Sequence, residues 1–337
     1  MSVRDVLIVG AGPSGLAAAI AAKREGLDYV VVEKGVLVDA IFNFPTHMVF
    51  FTTPELLEIG GLPLITPYDK PTRLEALRYY RRVVDTYDLQ ISFHEEVVEI
   101  EREDQGFVVT SQDIDAAGQP LQARRVRTAR AVVLAIGYYD HPNWLGISGE
   151  ELPHVSHYYT DAHPYYRQRV VVVGGKNSAA EAALELFRGG ATVTLVHRRS
   201  TLGDTIKYWV RPDIDNRIKE GSIAAHFNTQ VVEITRTAVV VEGPEGRREI
   251  PADGVFLLTG YRPDVDLMRR AGVQCDNDTL APALDPETFE TNVPNLFIAG
   301  GAIAGRNTGS IFIENGRFHG ERIIRVLSQR LTQGTLP

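Results

Sequence analysis

The sequence predicts an α/β architecture in which one strand–loop–helix–strand unit occurs twice, and three observations carry that prediction. Residues 6–15 read VLIVGAGPSG, a short apolar run breaking into a glycine-rich loop. Residues 170–179 read VVVVGGKNSA, a second run and a second loop. The interval from Gly10 to Gly26, which stops the first predicted helix, recurs from Gly174 to Gly190. A chain of 337 residues has room for two or three domains.

In the first unit, Val6–Val9 is a buried strand by composition. Gly10, Gly12 and Gly15 then fit G-x-G-x-x-G, with Pro13 and Ser14 between them. The three glycines serve separate needs, in order a tight turn, close approach of backbone to a pyrophosphate, and close packing of helix on strand. Ser14–Glu25 is an alanine-rich helix, and its N-terminus offers N–H donors and a positive dipole end to a phosphate. Tyr29–Val32 is the next strand, closed by Glu33 and Lys34. A carboxylate there accepts hydrogen bonds from ribose hydroxyls.

On the same ruler, the second unit puts His197 where the first has Glu33, followed by Arg198 and Arg199. A carboxylate repels a 2′-phosphate, whereas guanidinium groups bind one in bidentate fashion. The first unit therefore suits FAD or NAD, and the second suits NADPH. Lys176 replaces the second glycine and either adds charge to the cofactor cradle or only tolerates the turn; Ala179 is a small-residue substitute for the third.

Around these units, residues 96–101, 106–110 and 120–128 read as a small antiparallel β segment. Ala131–Ile136, Gly254–Leu258 and Leu296–Ala299 read as strands ending at Gly137, Gly260 and Gly300-Gly301. A helix is expected from Ser310 to Leu327.

The totals narrow the function. The formal charge of −8 opposes a nucleic-acid surface. The uncharged stretch Val6–Ala22 holds Gly-Ala-Gly-Pro-Ser-Gly and has no basic flank, so no membrane anchor is expected. A single cysteine, Cys275, excludes an internal disulfide and a C-x-x-C pair, and a reducing cytoplasm fits it.

The ordered motifs GAGPSG, LAIGYYDHP, VVVGGKNSA, HRR, LLTGYRPD and NLFIAGG resemble the thioredoxin reductase-like flavoproteins with two dinucleotide-binding domains. NFPTHMVFF, LLEIGG, GGKNSAAEAALEL and IFIENGRFHG are similar to the YpdA family of bacillithiol disulfide (bacilliredoxin) reductases. The resemblance implies two Rossmann-like domains, with an FAD domain (1–140 and 265–337) interrupted by an NADPH domain (141–264). It implies that FAD is held by Gly10, Gly12, Pro13, Ser14, Gly15, Glu33, Lys34, Asn43, Thr46, His47, Val98, Gly137, Gly301 and Ile311. NADPH would use Gly174, Lys176, Asn177, Ser178, His197, Arg198, Arg199 and Gly260. A homodimer, and a small disulfide or a small redox protein as partner, follow from the same resemblance.

Four departures accompany it. Tyr158 and Asp161 stand where the class carries its dithiol, so electrons cannot leave through an internal disulfide. Gly203 replaces the third arginine of the NADPH signature. Gly301 replaces the acid near the flavin ribityl chain. Ser14 stands where members can carry a cysteine. His47 and Tyr158 are the candidate proton donors near neutral pH, by histidine's ordinary pKa and by position. The helix at Ser310 would steady negative charge on the reduced flavin, with Gly309, Ser310 and Ile311 offering N–H groups. Tyr158, Tyr159, Tyr165 and Tyr166 form either a substrate wall or a domain interface. The expected activity is NADPH-driven, flavin-mediated reduction of a small disulfide. Competing readings are a flavin monooxygenase, a ferredoxin–NADP reductase and a non-catalytic NADPH-sensing flavoprotein.

Overall fold

The computed structural model describes residues 3–104, 106–115 and 118–334, and the chain divides into two compact units. One unit takes the chain up to Asn43, then Met48–His141, then from Tyr261 onward. The other takes Phe44–His47 and Pro142–Gly260. The expected division kept the segment around His47 with the first unit. Phe44–His47 instead joins the second, where the backbone N–H of Thr46 donates to the Thr160 carbonyl at 2.8 Å.

In the first unit the sheet runs Ile91–Ser92, Tyr29–Val32, Arg4–Val9, Pro120–Leu134, Gly106–Ile114 and Glu95–Glu103. Leu296–Ile298 pairs with the long strand as well. Val6, Leu7 and Ile8 are fully buried, as an apolar run covered on both faces must be. The sequence reading split 120–128 from 131–136, but Pro120–Leu134 is one strand. Its first half is solvent-facing and pairs antiparallel with Gly106–Ile114; its buried end, Ala131–Leu134, pairs parallel with Val6–Val9. The change of period from exposed arginines to a continuous apolar run produced the apparent break.

Helix Pro13–Arg24 packs on helix Ile313–Thr332. Gly320 makes that approach possible, since a Cβ there would stand 2.8 Å from Ala18 Cα. The later helix begins at Ile313 and not at Ser310. Asn315 sets that start: its Oδ1 accepts from Phe312 N at 2.8 Å, and its Nδ2 donates to the Ser310 carbonyl at 3.0 Å. The Ser310 N–H is spent on Asn307 O at 3.2 Å, so the expected free donor is engaged.

In the second unit, five strands run Ala224–His226, Thr192–Val196, Arg169–Val173, Gly254–Leu257 and Val155–Ser156, all parallel neighbours. Helix Asn177–Arg188 follows the second glycine loop and buries its alanine face. An antiparallel meander, Gln230–Ile234, Ala238–Gly243 and Gly246–Pro251, sits in the same unit. Tyr159 and Tyr165 pack edge-on against Phe256, at 5.4 and 5.2 Å between ring centroids. They belong to this unit's core, which settles two of the four tyrosines as packing residues.

Hydrogen bonds repeat at a common step in the two units. Gly10 N donates to Val32 O at 2.8 Å, as Gly174 N does to Val196 O at 3.1 Å. Leu16 N donates to Gly12 O at 2.9 Å, as Ala180 N does to Lys176 O at 3.1 Å. Leu27 N donates to Ala22 O, as Ala191 N does to Leu186 O, both at 3.0 Å. The sequence interval therefore marks a repeated backbone unit.

Candidate functional site

The first glycine loop is shaped by what each position must avoid. Gly10 has φ +103° and presses on the Ala135 carbonyl, so a side chain there is excluded twice over. Gly15 lies against the Gly10 carbonyl. Gly12 differs: nothing lies within 4 Å of the position its Cβ would take. Its side is open, as a seat for a pyrophosphate requires, and Pro13 starts the helix there.

Glu33 closes the next strand and is buried at 6% exposure. Its Oε2 accepts from Ala11 N at 2.6 Å and its Oε1 from Gly35 N at 2.7 Å. Burial raises its pKa to about 7, against the lowering effect of those two bonds, and Asp39 and Asp140 push the same way as burial. The carboxyl thus fastens the loop and keeps lone pairs for further donors. Burial works against the charge of Lys34, but its 2.9 Å contact with Asp140 leads the effects that raise its pKa overall.

Ser14 faces the carboxyl end of the last strand. Its Oγ donates to the Gly316 carbonyl at 3.1 Å and lies beside Gly300. Gly300 N donates to His319 Nδ1 at 3.2 Å. At Gly301 a Cβ would stand 2.6 Å from Tyr138 Cδ1, so the Tyr138 ring holds the space an acid would need. Gly137 has φ +63° and open space at its Cβ position. Ile311 is half-buried just before the helix start. Val98 sits at a bulge between Val97 and Glu99, its carbonyl 3.4 Å from Arg270 Nη2. Asn43 caps the short helix Asp39–Phe42 and donates to Asp39 Oδ2 at 2.8 Å.

In the second loop, Gly174 has φ +155°, and a Cβ there would lie 2.6 Å from the Leu258 carbonyl. Gly175 is backed by the His197 ring, which fills the space of any side chain. Burial, then Arg199 and Arg198, lower the pKa of His197, so the ring is neutral near pH 7. His197 is thus a spacer beneath the loop. Lys176 precedes the helix in extended conformation with its side chain exposed, and its Cγ lies 3.6 Å from where a Cβ of Gly203 would stand. Asn177 uses both side-chain ends on the following loop: Nδ2 donates to Thr205 O at 3.0 Å and Oδ1 accepts from Lys207 N at 2.9 Å. Its backbone N–H, with that of exposed Ser178, remains in the helix's first turn. Arg198 and Arg199 are exposed, and neither forms an ion pair among the described residues. Gly260 has φ +93° and lies beside Asn143 Nδ2.

Thr46 and His47 are attached to the second unit through Thr160. His47 is exposed, its Nε2 3.8 Å from Asp161 Oδ2. Tyr158 is half-buried, and its N–H and carbonyl both bond Ser156 Oγ, at 3.0 and 2.7 Å. The structure thus brings His47, Asp161 and Tyr158 into one unit. Tyr166 is exposed at the surface beside Gly190. Cys275 is half-buried, with burial raising its thiol pKa.

Some residues the sequence did not announce. Glu95 is fully buried, taking Ser92, Ser111, Arg125 and Arg127 as donors. Its N–H donates to the Glu33 carbonyl at 3.0 Å, so it anchors the strand end that carries Glu33. Arg125 and Arg127 alternate on a strand, which was the available signal. Tyr138 and His319 fall within the quoted motifs LAIGYYDHP and IFIENGRFHG, but the contact of Tyr138 with Gly301 and the bond of His319 to the Gly300 N–H are not legible in them. Among the described residues no cluster resembles a metal site, and no helix is long and apolar enough to cross a membrane.

The pyridine nucleotide-disulphide oxidoreductase family matches residues 7–300. Bacilliredoxin reductase Bdr of Bacillus subtilis (strain 168) is 42% identical over 334 residues, covering 98% of this chain and 99% of that protein. The chain belongs to the YpdA family, within the pyridine nucleotide-disulphide oxidoreductases. This YpdA-type chain superposes on the solved bacillithiol disulfide reductase Bdr (YpdA) of Bacillus cereus with a TM-score of 0.93 and 41% identity, covering 98% of this chain and 100% of that one. The Staphylococcus aureus structure gives 0.90 and 38%, covering 98% and 99%. A YpdA-family member is a flavoprotein oxidoreductase related to the thioredoxin reductases, with FAD and NADPH as cofactors. The open seat at Gly12, the buried carboxylate of Glu33 and the uncompensated Arg198 and Arg199 fit that pair.

Proposed function

We propose that this chain is an NADPH-dependent FAD oxidoreductase reducing a low-molecular-weight disulfide of the bacillithiol type, without an internal dithiol. One contrast carries the reading: a buried carboxylate ends the second strand of one unit, and two uncompensated arginines follow the matching position of the other. In this reading the first unit holds FAD, with its pyrophosphate at Gly12 and the N-terminus of Pro13–Arg24. The second holds NADPH, with its pyrophosphate at the N-terminus of Asn177–Arg188 and its 2′-phosphate on Arg198 and Arg199. When bound, the nicotinamide supplies a hydride and the flavin passes the electron pair to the acceptor.

The chain's own residues seat the cofactors, exclude competing groups and supply a proton. Glu33 accepts from the ribose while it ties Ala11 and Gly35. Tyr138, packed on Gly301, takes the space of an acid beside the FAD seat. A reduced disulfide leaves as thiolate and needs a proton; His47, beside Asp161, or Tyr158 supplies it. The substrate class rests on the relatives named as bacilliredoxin and bacillithiol disulfide reductases.

The test is anaerobic stopped-flow reduction of the holoenzyme by NADPH, followed by mixing with bacillithiol disulfide, quinones or ferredoxin. Rapid reoxidation by bacillithiol disulfide is expected. Reoxidation only by another acceptor removes the disulfide assignment.

A further inference from the structure

Two large aromatic side chains stand in water close to the second glycine loop. Tyr208 is 81% exposed and Trp209 41% exposed. Their rings meet edge-to-face, with centroids 4.8 Å apart and planes at 85°. An exposed rigid aromatic pair is costly to solvate and well suited to stacking on a planar ligand.

The loop that carries the pair is fixed to the phosphate-binding end of the helix. Gly203 N donates to the Gly175 carbonyl at 2.7 Å. Asn177 clasps Thr205 and Lys207 through both side-chain ends. Leu202, Ile206 and Val210 are buried in this unit's core at 2%, 6% and 7% exposure, on either side of Tyr208 and Trp209. The platform is therefore anchored while its aromatic faces remain outside.

Direction follows from the path of the chain. The loop leaves Arg199 at the end of strand Thr192–Val196 and reaches the helix N-terminus at Asn177. A dinucleotide with its 2′-phosphate on Arg198 and Arg199 and its pyrophosphate on that N-terminus lays its adenosine half between those two points. The nicotinamide half points the other way, toward Leu258, whose carbonyl borders Gly174, and Gly260 two residues on.

We propose that Tyr208, braced by Trp209, is the stacking platform for the adenine ring of NADPH. The inference rests on the nucleotide reading above and adds its base-binding residue. Stacking of a base on an aromatic ring, lost on truncation, weakens binding about five- to 160-fold.

Calorimetric titration of the FAD-loaded enzyme with 2′,5′-ADP and, separately, with reduced nicotinamide mononucleotide tests it. Tyr208→Ala is expected to bind 2′,5′-ADP about ten-fold more weakly, Tyr208→Phe to match wild type, and mononucleotide binding to be equal in all three. If Tyr208→Ala binds 2′,5′-ADP as wild type does, while Arg198→Ala/Arg199→Ala does not, the platform is wrong and the nucleotide reading stands. If wild type binds neither 2′,5′-ADP nor NADPH, both fall. Weakening of the mononucleotide alone overturns the adenine assignment.

Discussion

Glu33 and His197 hold the same place in two copies of one backbone turn. The Glu33 N–H donates to the Ser92 carbonyl at 2.8 Å, and the His197 N–H donates to the His226 carbonyl at 2.9 Å. Their side chains then do different work. Glu33 reaches into its own glycine loop to bond Ala11, whereas the His197 ring backs Gly175 and leaves the charge to Arg198 and Arg199. The same scaffold thus presents an acceptor in one unit and cations in the other.

The open seat at Gly12 makes a clean test. Its backbone is extended, at φ −73° and ψ 174°, and no protein atom opposes a Cβ. Gly12→Val should therefore fold with near wild-type stability and purify colourless. A yellow, fully loaded variant, judged by the ratio of flavin to protein absorbance, would remove the FAD assignment.

Arg198→Ala/Arg199→Ala should lose most of any preference for NADPH over NADH. Two charge-assisted contacts to a 2′-phosphate are worth about 2–4 kcal/mol together. The ratio of kcat/KM for the two nucleotides measures this, and an unchanged ratio would make the arginines solvated surface charge.

Tyr138 and Gly301 should be energetically coupled. Gly301→Asp forces a side chain into the ring and should cost about 1–3 kcal/mol of stability. Tyr138→Ala should relieve part of that cost in the double variant, read as the interaction energy of a double-mutant cycle in urea unfolding. Strict additivity of the two changes would show that the ring yields freely.

His319 predicts an acid-side loss of stability. Its ring is stacked on Phe289 at 4.2 Å, and its unprotonated Nδ1 accepts from Gly300. Burial, assisted by Arg322, lowers its pKa from 6.5 to about 4. Between those values the unfolded chain binds the extra proton, so this contribution is complete above pH 6.5 and is lost as pH falls through about 4. His319→Leu should flatten the dependence of unfolding free energy on pH across that window.

Cys275→Ser should retain disulfide turnover within about two-fold, since the thiol is half-buried in the side of the first unit's core and burial raises its pKa. His47→Ala should slow reoxidation of the reduced enzyme more than its reduction by NADPH. Loss of turnover in Cys275→Ser would overturn transfer without a protein thiol.

The sequence by itself determined the doubled unit, its strand–loop–helix order and the exchange of Glu33 for His197-Arg198-Arg199. Each of these depends on the backbone needs or charge of single residues at short intervals, which one chain displays directly. A count of one cysteine determined that no internal dithiol exists. The tertiary structure decided what depends on distant partners. It joined Phe44–His47 to the second unit and moved the last helix's start to Ile313 through Asn315. It also buried Glu95 among arginines 30 and 32 residues away, and set Tyr138 against Gly301. Such contacts are fixed by volume and by hydrogen-bond satisfaction in a packed interior, and a linear pattern records neither.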